Sequence, residues 1–187
     1  MKKLFTVVIA GIVCVTACKK SNDANTNSGN TFTATVNGQA TVFNVKAATL
    51  IRSQNDNEKR MDITGESLDS SKMLIITLGL ESYLGSGMTV KSYVLNPFPV
   101  DDPNTPDVDE SATTQGYTTY MTSLGNGNWF TDVYDENGTF VLSSCDSAHT
   151  LISGSFQTTL TDSNSLPATI VTITAGKISN LKYSVLN

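Results

Sequence analysis

The chain has 187 residues, 39% of them hydrophobic, and carries 12 Lys and Arg against 17 Asp and Glu, a formal charge of −5. That balance argues against nucleic acid as a partner, because no basic cluster offsets the acidity to match a phosphate backbone. A single histidine argues against most metal and catalytic-triad arrangements as well, and no cofactor is expected.

The opening "MKKLFTVVIAGIVCVTAC" starts with Lys2 and Lys3 and continues as an apolar run from Leu4 to Val15. A membrane-spanning helix needs about 20 apolar residues, whereas the core of an export signal needs about 7–15, followed by small residues. Thr16 and Ala17 are those small residues, and Cys18 comes next. The segment Val15-Thr16-Ala17-Cys18 resembles the lipobox of bacterial lipoproteins, with Val15 where that family most often has leucine. The resemblance implies cleavage before Cys18 and acylation of its sulfur and amino group. Residues 1–17 are thus read as a signal peptide and Cys18 as the point of lipidation. Acyl chains contribute about 0.8 kcal/mol per buried CH₂, so two or more hold a protein stably where one does not. "CKKSND" is similar to the start of Bacteroidota-type lipoproteins, and Lys19 rather than Asp after the cysteine favours the outer membrane.

Residues 18–30, rich in Ser, Asn and Thr, read as a flexible tether, and 31–187 as a single domain long enough for a core of its own. Cys14 leaves with the signal and Cys18 is acylated, so Cys145 is the one thiol expected in the folded part. At the end of an apolar run, it reads as a buried, inert thiol.

From Thr31 onward the signal is period two, which marks strands. "TFTATV" puts Phe32, Ala34 and Val36 on one face; Asn37-Gly38 then predicts a type I′ hairpin turn, and "QATVFNV" an antiparallel return. "KRMDITGESL" alternates with Met61 and Ile63 inward and Asp62 and Thr64 outward. "KMLIITLGL" is apolar on both faces, which predicts a central strand covered on both sides. "ISGSFQTTL" sets Ile152, Gly154, Phe156, Thr158 and Leu160 on one face. In the last strand Leu181, Tyr183 and Val185 share a face, with Ile178 one position out of register, which a bulge near Ser179-Asn180 would correct. No segment after the leader has a 3.6-residue apolar stripe. The expectation is an all-β, antiparallel β-sandwich, with a lipocalin-like β-barrel as the alternative, since period two does not tell whether a sheet closes.

"FTATVNGQA" and "ISGSFQTTLTD…ATIVTITAGKISNLKY" resemble the opening and close of a family of uncharacterised all-β outer-membrane lipoproteins. The matching residues at the close are Gly154, Phe156, Ile173, Thr174, Gly176, Ile178, Leu181 and Tyr183. The resemblance implies an all-β fold and no particular activity.

Three clusters are candidates for chemistry. Tyr117, Tyr120, Asn128, Trp129 and Tyr134 lie close in sequence, and aromatic rings beside amides suit glycan recognition. Asp101, Asp102, Asp107, Asp109 and Glu110 could supply oxygen ligands to calcium. Against this, the EF-hand order is missing, and Pro97, Pro99, Pro103 and Pro106 keep the segment extended. "CDSAHT" gathers Cys145, Asp146, Ser147 and His149, but neighbours on a strand face opposite ways, and a solvated turn is expected there rather than a catalytic site. Asp146-Ser147-Ala148 also resembles the short O-glycosylation acceptor of exported proteins in the same bacterial group. Together these readings predict a lipid-anchored envelope protein, not an enzyme, that binds a glycan or an envelope protein or serves a structural role. The alternative is a lipocalin-like carrier of an apolar ligand.

Overall fold

The computed structural model describes residues 30–95, 115–123, 129–162 and 169–187. The stretch read as a signal peptide, Cys18, nearly all of the stretch read as a tether, the acidic residues from Asp101 to Glu110 and Asn128 lie outside them. Within them the chain forms ten strands: β1 (Thr31–Val36), β2 (Gln39–Ser53), β3 (Glu58–Ser67), β4 (Lys72–Ser82), β5 (Ser92–Leu95), β6 (Gly116–Ser123), β7 (Trp129–Asp146), β8 (Leu151–Asp162), β9 (Thr169–Lys182) and β10 (Ser184–Leu186). The all-β, antiparallel expectation holds, but the architecture is the barrel rather than the favoured sandwich. Neighbours run β1-β9-β8-β7-β6-β4-β3-β2, and β1 also pairs with β2, so the ends of the sheet meet.

Both joints of the ring are shared between two short strands. β1 covers the first residues of β2, Gln39–Val42, and β10 lies parallel to β2 further along, with Val185 opposite Leu50. β7 likewise pairs with β6 through Trp129–Tyr134 and with β5 through Gly138–Val141. Closure in this way leaves few unpaired strand edges. It also explains one departure from the alternation: Leu181 and Tyr183 are buried, whereas Val185 is 39% exposed, because the chain leaves β9 and swings across onto β2.

Local sequence accounts for the turns and bends. Asn37 and Gly38 have φ of 49° and 78°, the paired positive values of a type I′ turn. In β9, Ser179 and Asn180 stand against the single residue Ser153, which is the bulge that restores Ile178 and Leu181 to one face. A second bulge sets Thr174 and Ala175 against Gln157, with Ala175 in the left-handed region at φ 49°. Bulges deepen local twist and help a sheet curl shut.

The inward faces build one core. Phe32, Ala34 and Val36 of β1, Met61 and Ile63 of β3, and Ile152, Phe156 and Leu160 of β8 are all buried, as the alternation requires. Leu74, Ile76 and Leu78 of β4 are fully buried too, but Met73 and Ile75 on its other face are only half buried. That strand is one stave of a barrel, not the covered centre of a stack. A phenylalanine layer crosses the interior: Phe32 meets Phe43 at 5.0 Å and Phe156 at 5.9 Å, and Phe156 stacks on Phe140 at 6.0 Å. Glycines make room for the rings. A Cβ on Gly176 would come within 2.6 Å of Phe156, and one on Gly154 within 2.6 Å of Phe140.

Candidate functional site

The densest polar chemistry among the described residues lies at the end of the barrel that carries the turns 54–57 and 147–150. Loop 83–91, between β4 and β5, folds across this end and inserts Met88, 5% exposed, into the core. Lys59 and Glu81, 5% and 8% exposed, fasten it from opposite strands. The Lys59 ammonium donates to the carbonyls of Leu84 at 2.9 Å and Gly87 at 2.6 Å and lies 3.6 Å from Glu81 Oε2. Three acceptors thus meet its three donors. Glu81 Oε2 accepts from the backbone N–H and the hydroxyl of Thr89, each at 2.9 Å. Tyr93 Oη sits 2.5 Å from Glu81 Oε1 and 2.6 Å from the Thr89 carbonyl, and Lys91 approaches Oε1 to 3.4 Å.

This surrounding sets the protonation states. Burial opposes ionisation of Glu81, but hydrogen bonds from Tyr93 and Thr89 and the charge of Lys91 outweigh it, so the carboxyl stays below its ordinary range. Burial, reinforced by the bond to Glu81, pushes the Tyr93 phenol well above its usual value. Glu81 and Tyr93 therefore face each other at neutral pH as carboxylate and phenol. Arg52 completes the rim: its guanidinium stacks over the Tyr83 ring at 4.7 Å and donates to the Tyr83 carbonyl at 3.3 Å.

The sequence "CDSAHT" lies at the same end. Asp146 closes β7, and residues 147–150 form the solvated turn expected of them. One Asp146 oxygen accepts from the N–H groups of Ala148 and His149, and the other lies 2.7 Å from His149 Nδ1. The bond from His149 lowers the Asp146 pKa. Cys145 faces away from this pair and lies partly buried, its Sγ 3.8 Å from Tyr183 Oη; burial and that thiol raise the Tyr183 phenol to about 12. Asp146 and His149 do meet, through the turn, but in the open and apart from the thiol. Ser147 is exposed and bonds Ser86 of the capping loop at 2.9 Å.

The aromatic cluster is divided by the wall. Tyr120 points into the barrel, 5% exposed, its phenol pKa raised by burial and by the nearby charge of Asp69. Tyr117, three residues earlier, is half buried on the outer side. Register sets Trp129 opposite Ser123 and Tyr134 opposite Thr119. Tyr117 and Tyr120 therefore do not share a surface.

A feature the sequence reading did not single out is the outer wall of β7, β8 and β9. Its outward positions form cross-strand rows: Asn137, Thr159 and Thr172; then Thr139, Gln157 and Thr174; then Val141, Ser155 and Lys177. The first two rows flank a shallow groove of about 290 Å³, and a second groove, about 380 Å³, follows beside Ser155 and Lys177. The signal was present in "SGSFQTTLTD", where every residue alternating with the buried ones is Ser, Gln or Thr.

No protein-family model, curated protein or solved structure matches this chain.

Proposed function

We propose that the chain is an exported, lipid-anchored protein of the cell envelope, held at the outer membrane through Cys18, whose barrel is a non-catalytic binding or structural module. The observation that supports this reading is how the interior is used. Phenylalanine rings and aliphatic side chains occupy the middle of the barrel, and Lys59, Glu81 and Tyr93 are committed to fastening loop 83–91. What the molecule offers a partner is its outside.

The closed ring itself favours a second reading, a lipocalin-like carrier, since eight-stranded barrels hold either side chains or one small ligand. One panel separates the two: the thermal midpoint of the protein with neutral glycans, fatty acids and calcium. A ligand at 100 times its Kd adds about 2.7 kcal/mol, a rise of several degrees. The module reading predicts a rise with a glycan or none from the panel, and the carrier reading a rise with a fatty acid. The anchor is tested separately by labelling cells with radioactive palmitate. The Cys18→Ser variant should lose both label and membrane association, and a labelled variant would contradict lipidation at this residue.

A further inference from the structure

We propose that the outer wall of β7, β8 and β9 is a binding site for an uncharged polysaccharide; this rests on the envelope-module reading and gives it a location. The first groove is bordered by Asn137, Thr139, Gln157, Thr159, Thr172 and Thr174, one amide or hydroxyl after another across three strands. None of these side chains is charged. Among the described residues, the side chains of Thr139, Gln157, Thr159, Thr172 and Thr174 make no hydrogen bond within the protein, so their donors and acceptors are open to a ligand. Hydroxyls and amides that both donate and accept match a ligand whose own groups are hydroxyls.

Charge narrows the class. The chain is net acidic, and the described wall offers two cations, Lys177 and, at the far end of β9, Lys182, too little to hold a polyanion against that background. The shape favours a polymer over a single sugar. The two grooves follow one another along β8, centred near Thr158 and Gly154; four residues of strand place them roughly 13 Å apart. The floor is rigid, since Gly154, Phe156 and Gly176 lock the wall to the phenylalanine layer beneath. A preformed surface loses little entropy on binding.

The test is affinity electrophoresis of the purified full-length protein in gels containing mannan, dextran, a soluble β-glucan or, as the charged control, polygalacturonate. Retardation by at least one neutral polymer and not by polygalacturonate is expected. The double variant Gln157→Ala, Thr174→Val should weaken that retardation at least tenfold while keeping the parent's thermal midpoint, because both side chains face solvent. Asn44→Ala, on the outer side of β2, should bind as the parent does. Absence of retardation in all three neutral gels overturns the proposal. Retardation unchanged in the double variant also overturns it, yet leaves the module reading standing with its site elsewhere. A midpoint raised by fatty acid with no retardation overturns both.

Discussion

The wall of β2, β3 and β4 and the wall of β7, β8 and β9 lie on opposite arcs of one ring and use their polar side chains differently. On the first, outward charges answer one another: Lys46 meets Glu66 at 2.5 Å, Arg60 meets Asp62 at 3.3 Å, and Thr77 donates to Asp62 at 3.0 Å. The bond from Lys46 holds the Glu66 carboxyl below its ordinary range. On the second, the side chains of Thr139, Gln157, Thr159, Thr172 and Thr174 make no hydrogen bond within the protein among the described residues. A surface whose groups already satisfy each other gains little from a ligand; one whose groups face only water exchanges one set of hydrogen bonds for another. The comparison teaches that the neutral wall, not the charged one, is where recognition is expected.

The largest effect should come from the layer beneath the neutral wall. Phe156→Ala removes a ring that contacts Phe32 and Phe140, and urea unfolding should show a loss of about 3–5 kcal/mol. A loss under 1 kcal/mol would mean that the wall does not rest on this layer. Next is the fastening of the capping loop. Lys59→Met strips two carbonyls and Glu81 of their shared donor and should cost about 3 kcal/mol, since breaking a buried pair leaves a charge uncompensated. Gly176→Ala drives a methyl into Phe156 and should cost about 1–3 kcal/mol. Combining it with Phe156→Leu, which withdraws the ring, should give less than the sum of the single effects.

The smallest effect belongs to the turn beside the charged wall. Hydrogen bonds from the side chains of Ser67 and Ser71, then from the Ser71 N–H, hold Asp69 at about 2 rather than 3.8. A carboxyl depressed in the folded state adds stability above its unfolded pKa and loses it as pH falls through the folded one. The parent should therefore lose midpoint between about pH 4 and pH 2 more steeply than Asp69→Asn, and parallel curves would exclude this contribution.

Much of this fold could be read from residue order. Asn37-Gly38 fixed a turn by its φ preference, and the misplaced Ile178 betrayed the Ser179-Asn180 bulge. Closure was not legible, because alternation distinguishes inside from outside but not which strands meet at the seam. Lys59 follows the same parity as Met61 and Ile63, so its inward direction was readable, though a charge at a strand's end passes easily for a rim residue. Glu81 was hidden more deeply. The register shift between β3 and β4 near Arg60 and Gly79 reverses parity past Leu78, and only the paired strands reveal it. Among the aromatics, the spacing of Tyr117 and Tyr120 already placed them on opposite faces.

The most direct test of the central claim is hydrogen exchange, residue by residue, with and without a soluble mannan, dextran or β-glucan. Slowed exchange confined to residues 137–139, 157–159 and 172–174 is the predicted result. Protection at the β2–β4 wall instead, or no change with any neutral polymer, would contradict the assignment of recognition to the neutral wall.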